Sequence, residues 1–335
     1  MLSITRTQWF FTVLVVVAVS AVLTAPFIGM QEISIAAVWR GVAHPVAHKV
    51  FWGLRVPRVI TAFLAGSALA LSGMCFQAIF RNPLATPFTL GVSSGASFGA
   101  ALYVRLGITF AVWRVSGTTL FAFLGALCSI SLVYGLTRLR RGCTTATMLL
   151  AGVAVSFFFS SLILFLQYVS DFTHSFRIIR WLMGGVDVAG YTSVLGLLPF
   201  VAAGTALIFF LTNELNLMTV GEAFAVSRGA AVGRVKHALF FGVSLMIGGI
   251  VAACGPIGFV GMICPHICRL LIGPNHRSLV PATFLFGGIF LTVCDTVART
   301  LVAPAEIPVG VITALLGGPF FLWLLVHGAG ERGAL

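Results

Sequence analysis

The densest group of potential metal ligands in the sequence is Cys264, His266 and Cys268. A protein metal site needs about four convergent ligands, usually presented with loop geometry. These residues instead lie in an apolar stretch, where Cys264 and Cys268 stand at i and i+4 on one helix face. Buried cysteines commonly behave as small apolar residues. The pattern therefore favours packing, and we predict no metal site and no bound cofactor.

Asp295 is the only one of the eight acidic residues that lies well inside an apolar segment. Arg299 follows it four residues later, a spacing that places both side chains on one helix face. An internal ion pair is the simplest interpretation. The alternative is a secondary carrier in which Asp295 binds the coupling ion, because such carriers bury carboxylates within their spans.

The sequence carries no pattern for ATP hydrolysis or other catalysis. A P-loop has the form Gly-x-x-x-x-Gly-Lys-Ser/Thr, and neither Lys49 nor Lys236 has that context. A Ser/His/Asp constellation, His-Glu-x-x-His and paired catalytic carboxylates are also missing. We therefore predict that the protein is not an enzyme. If the chain spans a membrane, the absence of these patterns predicts a transporter or channel that is powered, if at all, by a partner.

Composition indicates that most of the protein surface faces lipid. Of 335 residues, 59% are hydrophobic and 8% are charged, whereas soluble proteins carry about 25% charged residues. The formal charge is +12, but the basic residues are almost all arginines at the ends of apolar runs, where they set membrane orientation. No polar basic face exists to follow phosphates, so nucleic acid is excluded as a partner.

Apolar segments long enough to span a bilayer recur along the chain. We predict about ten, which makes an all-α polytopic membrane protein with both termini on the same side. No polar linker divides residues 1–335 into separate domains, and the first segment is too long for a cleaved signal. The predicted spans are 9–30, 57–79, 91–106, 114–136, 145–168, 191–212, 237–254, 256–272, 281–301 and 307–327.

Three shorter features stand out between or within these spans. The run 91–99 is crowded with Gly, Ser and Ala, which predicts close helix packing and no binding role. Residues 31–56 are mildly amphipathic and are expected along the outer interface. Residues 213–236 predict a cytoplasmic helix–Gly–helix element, with Glu near its start and Arg near its end, as the helix dipole favours.

The arginines give a mixed signal for orientation. With both termini in the cytoplasm, residues 138–141 and their three arginines are cytoplasmic, in agreement with the positive-inside tendency. Many other arginines are then left outside, among them Arg55, Arg58 and Arg299. These external cations need an explanation other than membrane orientation.

Several motifs follow one another along the chain. They are Arg55-Val56-Pro57-Arg58, Arg81-Asn82-Pro83-Leu84-Ala85, Leu90-Gly91-Val92-Ser93-Ser94-Gly95-Ala96, Gly255-Pro256-Ile257-Gly258-Phe259-Val260-Gly261, Asp295-Thr296-Val297-Ala298-Arg299 and Glu306-Ile307-Pro308-Val309-Gly310. Together they resemble the FecCD family of type II ABC importer permeases, which handle ferric siderophores, haem and cobalamin. The resemblance runs essentially from residue 1 to 328.

The resemblance implies a complete assembly around this chain. It implies a permease pair, with a dimer of cytoplasmic ABC ATPases and an external substrate-binding protein. A single ten-span unit fits two identical permeases, and a pair of related subunits is the alternative. The expected location is the bacterial or archaeal cytoplasmic membrane, with both termini in the cytoplasm. Ferric siderophores are the family's commonest cargo, so an iron(III) chelate is predicted, with haem and cobalamin as alternatives.

The resemblance also assigns roles to three groups of residues. Family arginines that dock acidic side chains of the binding protein match Arg55, Arg58 and Arg299, and the arginine fork suits carboxylates. The family's coupling helices, which contact the ATPase, match Glu222, Ala223, Ser227, Arg228, Gly229 and Ala230. The path and cytoplasmic gate match the fifth span and the loop before it, with Thr144, Thr145, Ser156, Phe157 and Ser160 as candidates.

Simpler interpretations remain open for several of these residues. Arg55 and Arg58 could anchor lipid headgroups, Arg299 could pair with Asp295, and the gate threonines could cap a helix. His174 and His266 are interpreted as hydrogen-bonded structural residues rather than haem ligands. Reversing the charge of Arg55 and Arg58 together is expected to abolish transport and leave folding intact.

Overall fold

The computed structural model describes residues 2–29, 38, 45–86, 88, 90–112, 115–139, 145–186 and 190–327. Helices make up almost all of it, and the strands form one short antiparallel hairpin. In chain order the elements are α1 (Leu2–Thr24), α2 (Pro45–Val50), α3 (Val56–Phe80), α4 (Val92–Leu106), β1 (Ala111–Val112), β2 (Val115–Ser116), α5 (Gly117–Leu139), α6 (Thr145–Tyr168), α7 (Phe172–Leu182), α8 (Thr192–Phe210), α9 (Thr212–Val220), α10 (Glu222–Ser227), α11 (Val232–Cys254), α12 (Val260–Ile272), α13 (His276–Ala298) and α14 (Val309–His327).

The helices of the described chain agree with the prediction of about ten spans. Seven lie in segments long and apolar enough to cross a membrane, namely α1, α3, α5, α6, α8, α11 and α13. Helices α4, α12 and α14 stand at the three remaining predicted positions. Three helices begin earlier than predicted, α1 at Leu2, α11 at Val232 and α13 at His276. Hydropathy misses these first turns because polar residues occupy them.

The connections fall on two sides because the chain reverses direction at each span. We call the side of the α1 N-terminus and the α14 C-terminus the terminal side, and the other the distal side. Helices α9 and α10 lie on the terminal side, as does the connection 81–91. The distal side holds α7 and the connections 25–29, 255–259 and 299–308.

Helix α3 lies at the centre of the fold. Every residue from Ala65 to Phe80 is buried, whereas α6 exposes many apolar side chains, with Leu164 66% exposed. Small residues let α3 and its neighbours approach closely. A Cβ placed on Gly73 would lie 1.7 Å from the carbonyl oxygen of Gly261 on α12.

The glycines of the run 91–99 confirm the predicted close packing. A Cβ on Gly95 would lie 2.5 Å from the Gly125 carbonyl oxygen on α5, and one on Gly99 would lie 2.0 Å from that of Phe121. The backbones of α4 and α5 are therefore nearly in contact along this face.

Helix α4 is too short to cross the bilayer by itself. Its 15 residues give a length of about 22 Å, against a hydrocarbon core of about 30 Å. The connection before it reaches into the membrane region, because Ser156 Oγ, about 16 Å into α6, donates to the Phe88 carbonyl at 3.2 Å. Irregular backbone at such depth occurs only where protein buries it or where it lines a cavity.

Candidate functional site

Arg58 is the centre of an ion cluster on the distal side. Its Nε and Nη2 donate to the carboxylate of Asp295 at 2.9–3.1 Å, and its Nη1 donates to Glu306 Oε2 at 2.7 Å. The exposed fractions of the side chains are 15% for Arg58, 1% for Asp295 and 44% for Glu306. A two-pronged arginine–carboxylate pair of this kind is geometrically specific and strong.

Arg299 has a smaller part in this cluster than its spacing predicts. Its Nε lies 3.9 Å from Asp295 Oδ2, which is too far for a hydrogen bond. Its Nη2 donates instead to the Ala25 carbonyl at 2.7 Å. Asp295 is therefore in an internal ion pair, but its main partner is Arg58, 237 residues away in sequence.

Arg55 completes the group of predicted docking arginines. Its Nη1 donates to the carbonyls of Pro26 at 3.1 Å and Phe27 at 3.4 Å, beside the Ala25 carbonyl that Arg299 contacts. The structure thus brings Arg55, Arg58 and Arg299 to one region of the distal side. All three already have partners within the chain, and docking stays a prediction.

Because Arg58 pairs with two carboxylates, reversing its charge would test the stability of the fold as well as docking. A glutamate there would place a third carboxylate beside Asp295 and Glu306, with Asp295 almost fully buried. Burying like charges without a cation is strongly unfavourable. The double reversal with Arg55 therefore cannot be expected to leave folding intact, and a docking test has to spare Arg58.

Helices α9 and α10 form the predicted helix–Gly–helix element, joined at Gly221. Ala225 is buried and fixes α10 to the rest of the chain. The predicted ATPase contacts Glu222, Ala223, Ser227, Arg228 and Gly229 are exposed, and Ala230 is half-buried.

The sequence pattern did not predict that three apolar residues of the same element are exposed. Val220 is 64% exposed, Phe224 is 40% exposed and Val226 is 60% exposed. Apolar side chains grouped on a surface outside the spans are typical of a protein contact. Their exposure depends on which face of the short helix α10 packs inward. A helix of six residues is too short for the spacing of its apolar residues to indicate the buried face.

Polar contacts fix this element to two membrane helices. Asn216 Oδ1 accepts from the backbone N–H of His276 at 2.8 Å, at the start of α13. Glu222 Oε1 accepts from Lys236 Nζ of α11 at 2.5 Å. Because Asp295 lies near the other end of α13, about 28 Å away, one helix joins the α9–α10 element to the distal ion cluster.

The predicted gate residues are only partly described. Thr144 lies outside the described residues, and so does the side chain of Thr145, with which α6 begins. Ser156 donates to the Phe88 carbonyl. Phe157 is 70% exposed, and Ser160 is also exposed. The structure therefore brings Phe157 and Ser160 to one open face of α6.

The histidines and cysteines lie in ordinary structural surroundings. Cys264 and Cys268 are buried and free, and the His266 ring lies edge-on to Phe320. Asp171 caps α7 by accepting from the His174 backbone N–H at 2.8 Å and lies 2.8 Å from His174 Nδ1. These hydrogen bonds lower the pKa of the Asp171 carboxyl. Within the described ranges, no three His, Cys, Asp or Glu residues group as metal ligands.

Comparisons with known proteins cover almost the whole chain. A sequence model described as the FecCD transport family matches residues 4–327. The hemin transport system permease protein HmuU of Yersinia pestis is 34% identical over 320 residues, 95% of this chain and 96% of that protein. The cobalamin import system permease protein BtuC of Halobacterium salinarum is 40% identical over 276 residues, 81% of this chain and 72% of that protein.

A solved structure has the same fold. It is described as a metal-chelate type ABC transporter in an inward-facing conformation. The TM-score is 0.86 at 32% sequence identity, and the match covers 95% of this chain and 99% of that one.

Proposed function

The chain belongs to the FecCD transport family, and we propose that it carries an iron(III)–siderophore chelate across the cytoplasmic membrane. Membership makes it a multi-pass membrane protein and the permease subunit of an ABC importer. The predicted fold, an all-α polytopic permease of the type II importers, is confirmed. Our proposal concerns the cargo, the composition of the transporter assembly and the residues of this chain that function in the assembly.

The observation that carries the cargo class is the uncharged face of α6. Residues 145–168 contain no acidic or basic residue, and Phe157 and Ser160 are exposed on this helix. Pores for bare ions use rings of carbonyls or charged side chains. An uncharged, weakly binding face fits a chelate whose own oxygens already surround the metal ion.

Haem and cobalamin are the alternative cargoes within the same transporter class. The similar permeases are named for hemin and cobalamin, and a weakly binding path suits any of these bulky molecules. An ion-coupled carrier is disfavoured, since both carboxylate oxygens of Asp295 already accept from Arg58. A coupling ion would have to displace that arginine.

We place the whole chain, 1–335, in one transmembrane domain with the coupling loop at about 213–236. In the assembly, two identical permeases contact an ATPase dimer through the α9–α10 element on the terminal side. That side is then cytoplasmic and contains both termini. The binding protein docks on the distal side at Arg55, Arg58 and Arg299. The cytoplasmic gate and the path are formed by Thr144, Thr145, Ser156, Phe157 and Ser160, with Thr144 and Thr145 at the gate.

The test is reconstitution of this chain in liposomes with its genomically adjacent ATPase and binding protein. ATP hydrolysis is measured with the binding protein empty or loaded with ferric siderophore, haem or cobalamin. We expect the ferric siderophore form to stimulate hydrolysis most. Stimulation only by haem or cobalamin would correct the cargo. Hydrolysis indifferent to every form of the binding protein would contradict the coupling.

A further inference from the structure

A cavity with a volume of about 340 Å³ lies between α4 and α6, and polar side chains interrupt its mostly apolar lining. None of its described lining residues is charged. Its polar side chains come from Ser93, Ser94, Ser97, Ser160 and Gln167. On α4, the glycines face α5, and Ser93 and Ser97 lie on the opposite face of the helix. The run 91–99, which its sequence assigns only to packing, therefore has two faces with different surroundings.

The Oγ atom of Ser93 has no hydrogen-bond partner in the described part of the chain. Ser93 is only 2% exposed, and its Oγ is buried. Other serines on neighbouring spans donate to their own helix: Ser161 Oγ to the Phe157 carbonyl at 3.0 Å and Ser131 Oγ to the Leu127 carbonyl at 2.8 Å. Leaving a buried hydroxyl unpaired is unfavourable, so the unpaired Ser93 hydroxyl beside this cavity points to a ligand.

The start of α4 adds a favourable field for anions. The helix begins at Val92, and Gly91 before it supplies no side-chain cap. The first-turn N–H groups of a helix lack intrahelical partners and carry a partial positive charge. Ser93 and Ser94 stand in this turn, so the hydroxyls and the helix end favour the same kind of ligand atom, an electron-rich oxygen.

We propose that Ser93, Ser94 and Ser97 of α4, with Ser160 and Gln167 of α6, form a contact site for the cargo inside the translocation path. The ligand class is an oxygen-rich chelate whose hydroxamate, catecholate or carboxylate oxygens accept hydrogen bonds. The site deepens the proposed function and rests on it.

The site is built to hold its ligand weakly. Its volume is at the small end of the range for small-molecule sites, about 300–1,000 Å³, so it takes one arm of a chelate and not the whole. It offers hydroxyl and amide groups but no arginine or lysine, and neutral hydrogen bonds are about half as strong as charge-assisted ones. A path has to release its cargo, and this lining permits release.

The test compares serines in the reconstituted assembly of chain, ATPase and binding protein, with an iron(III) trihydroxamate siderophore as the probe. Ser94→Ala combined with Ser97→Ala removes two donors and should lower uptake about tenfold. Ser161→Ala is the matched control, because its hydroxyl is paired within its own helix. ATP hydrolysis stimulated by the loaded binding protein should persist in both variants.

The double variant could take up cargo as fast as Ser161→Ala while stimulated hydrolysis stays intact. That result would refute the contact site but would not contradict the proposed importer function. A native assembly without stimulated hydrolysis would overturn the proposed function, and the site with it.

A second measurement keeps the site testable if the double variant fails to fold. The thiol introduced by Ser94→Cys is exposed to a water-soluble thiol reagent, with and without the trihydroxamate cargo. Its modification should be slowed at least threefold while cargo is being transported. The thiol introduced by Ser161→Cys should react equally in both conditions, and the native chain gives the background from its own cysteines. Equal modification of Ser94→Cys with and without cargo would exclude contact at this position.

Discussion

Neutralising Asp295 is the sharpest test of the distal ion cluster. In Asp295→Asn the guanidinium of Arg58 keeps its place but loses the carboxylate that binds its Nε and Nη2. Only Glu306 remains as a charged partner, and that side chain is 44% exposed. Breaking a buried pair by removing one partner costs about 3–5 kcal/mol, because an uncompensated charge stays buried.

This loss should be visible as a fall in the unfolding temperature of the purified permease. At about 2 °C per kcal/mol for a chain of this length, the expected fall is about 6–10 °C. The assay is thermal unfolding in detergent, followed by the fraction of chain that remains monodisperse. Glu306→Gln is the control, since an exposed pair contributes at most about 1 kcal/mol and its loss should shift the transition by about 2 °C or less.

A third variant separates the cost of the unpaired charge from the loss of packing. Replacing both partners, as in Arg58→Met with Asp295→Leu, leaves no buried charge and should recover most of the lost stability. If Asp295→Asn unfolds at the same temperature as Glu306→Gln, the pair does not stabilise the fold as argued. A stable Asp295→Asn chain that has lost coupled uptake would instead favour the carrier interpretation.

Three further predictions concern packing, docking and coupling. Gly95→Ala should cost about 1–3 kcal/mol, because its Cβ would lie 2.5 Å from a carbonyl oxygen of α5, whereas Gly135→Ala, with nothing within 4 Å, should be neutral or stabilising in the same thermal assay. Arg55→Glu should weaken binding-protein affinity severalfold in a pull-down or calorimetric titration. Arg105→Glu, exposed at the distal end of α4, should have less effect, and equal losses would argue against a specific role for Arg55. Arg228→Glu should reduce co-purification of the ATPase without lowering thermal stability, since Arg228 is exposed; undiminished co-purification would remove Arg228 from the contact.

The spans and the family could be read from the sequence because both are local in the chain. A bilayer demands about 20 consecutive apolar residues for each full helix, so hydropathy alone locates most of the helices. The helix–Gly–helix element at 213–236 was also predictable, since glycine and charged residues mark helix ends. The ordered motifs then identified the FecCD family, which the comparison over residues 4–327 bears out.

The partner of Asp295 could not be found in the same way. The i, i+4 spacing pointed to Arg299, and a helix does bring those two side chains near each other. Which arginine reaches the carboxylate depends on how α3 packs against α13, and that is decided by small residues such as Gly66 and Gly287, whose close approach joins the helices. Both Arg58 and Asp295 lie near the distal ends of predicted spans. Their similar depth in the membrane was the one feature of the sequence that could have suggested the pair.

The serines of α4 also show which properties follow from the sequence and which follow only from the tertiary structure. Their sequence indicates small residues that suit close packing, and the glycines among them do pack against α5. The sequence by itself thus determined which segments enter the membrane and which family the chain resembles, because these follow from composition and motif order. Only the tertiary structure decided that Arg58 holds Asp295 and that Ser93 and Ser97 face a cavity, because such contacts depend on the rotation and depth of helices far apart in sequence.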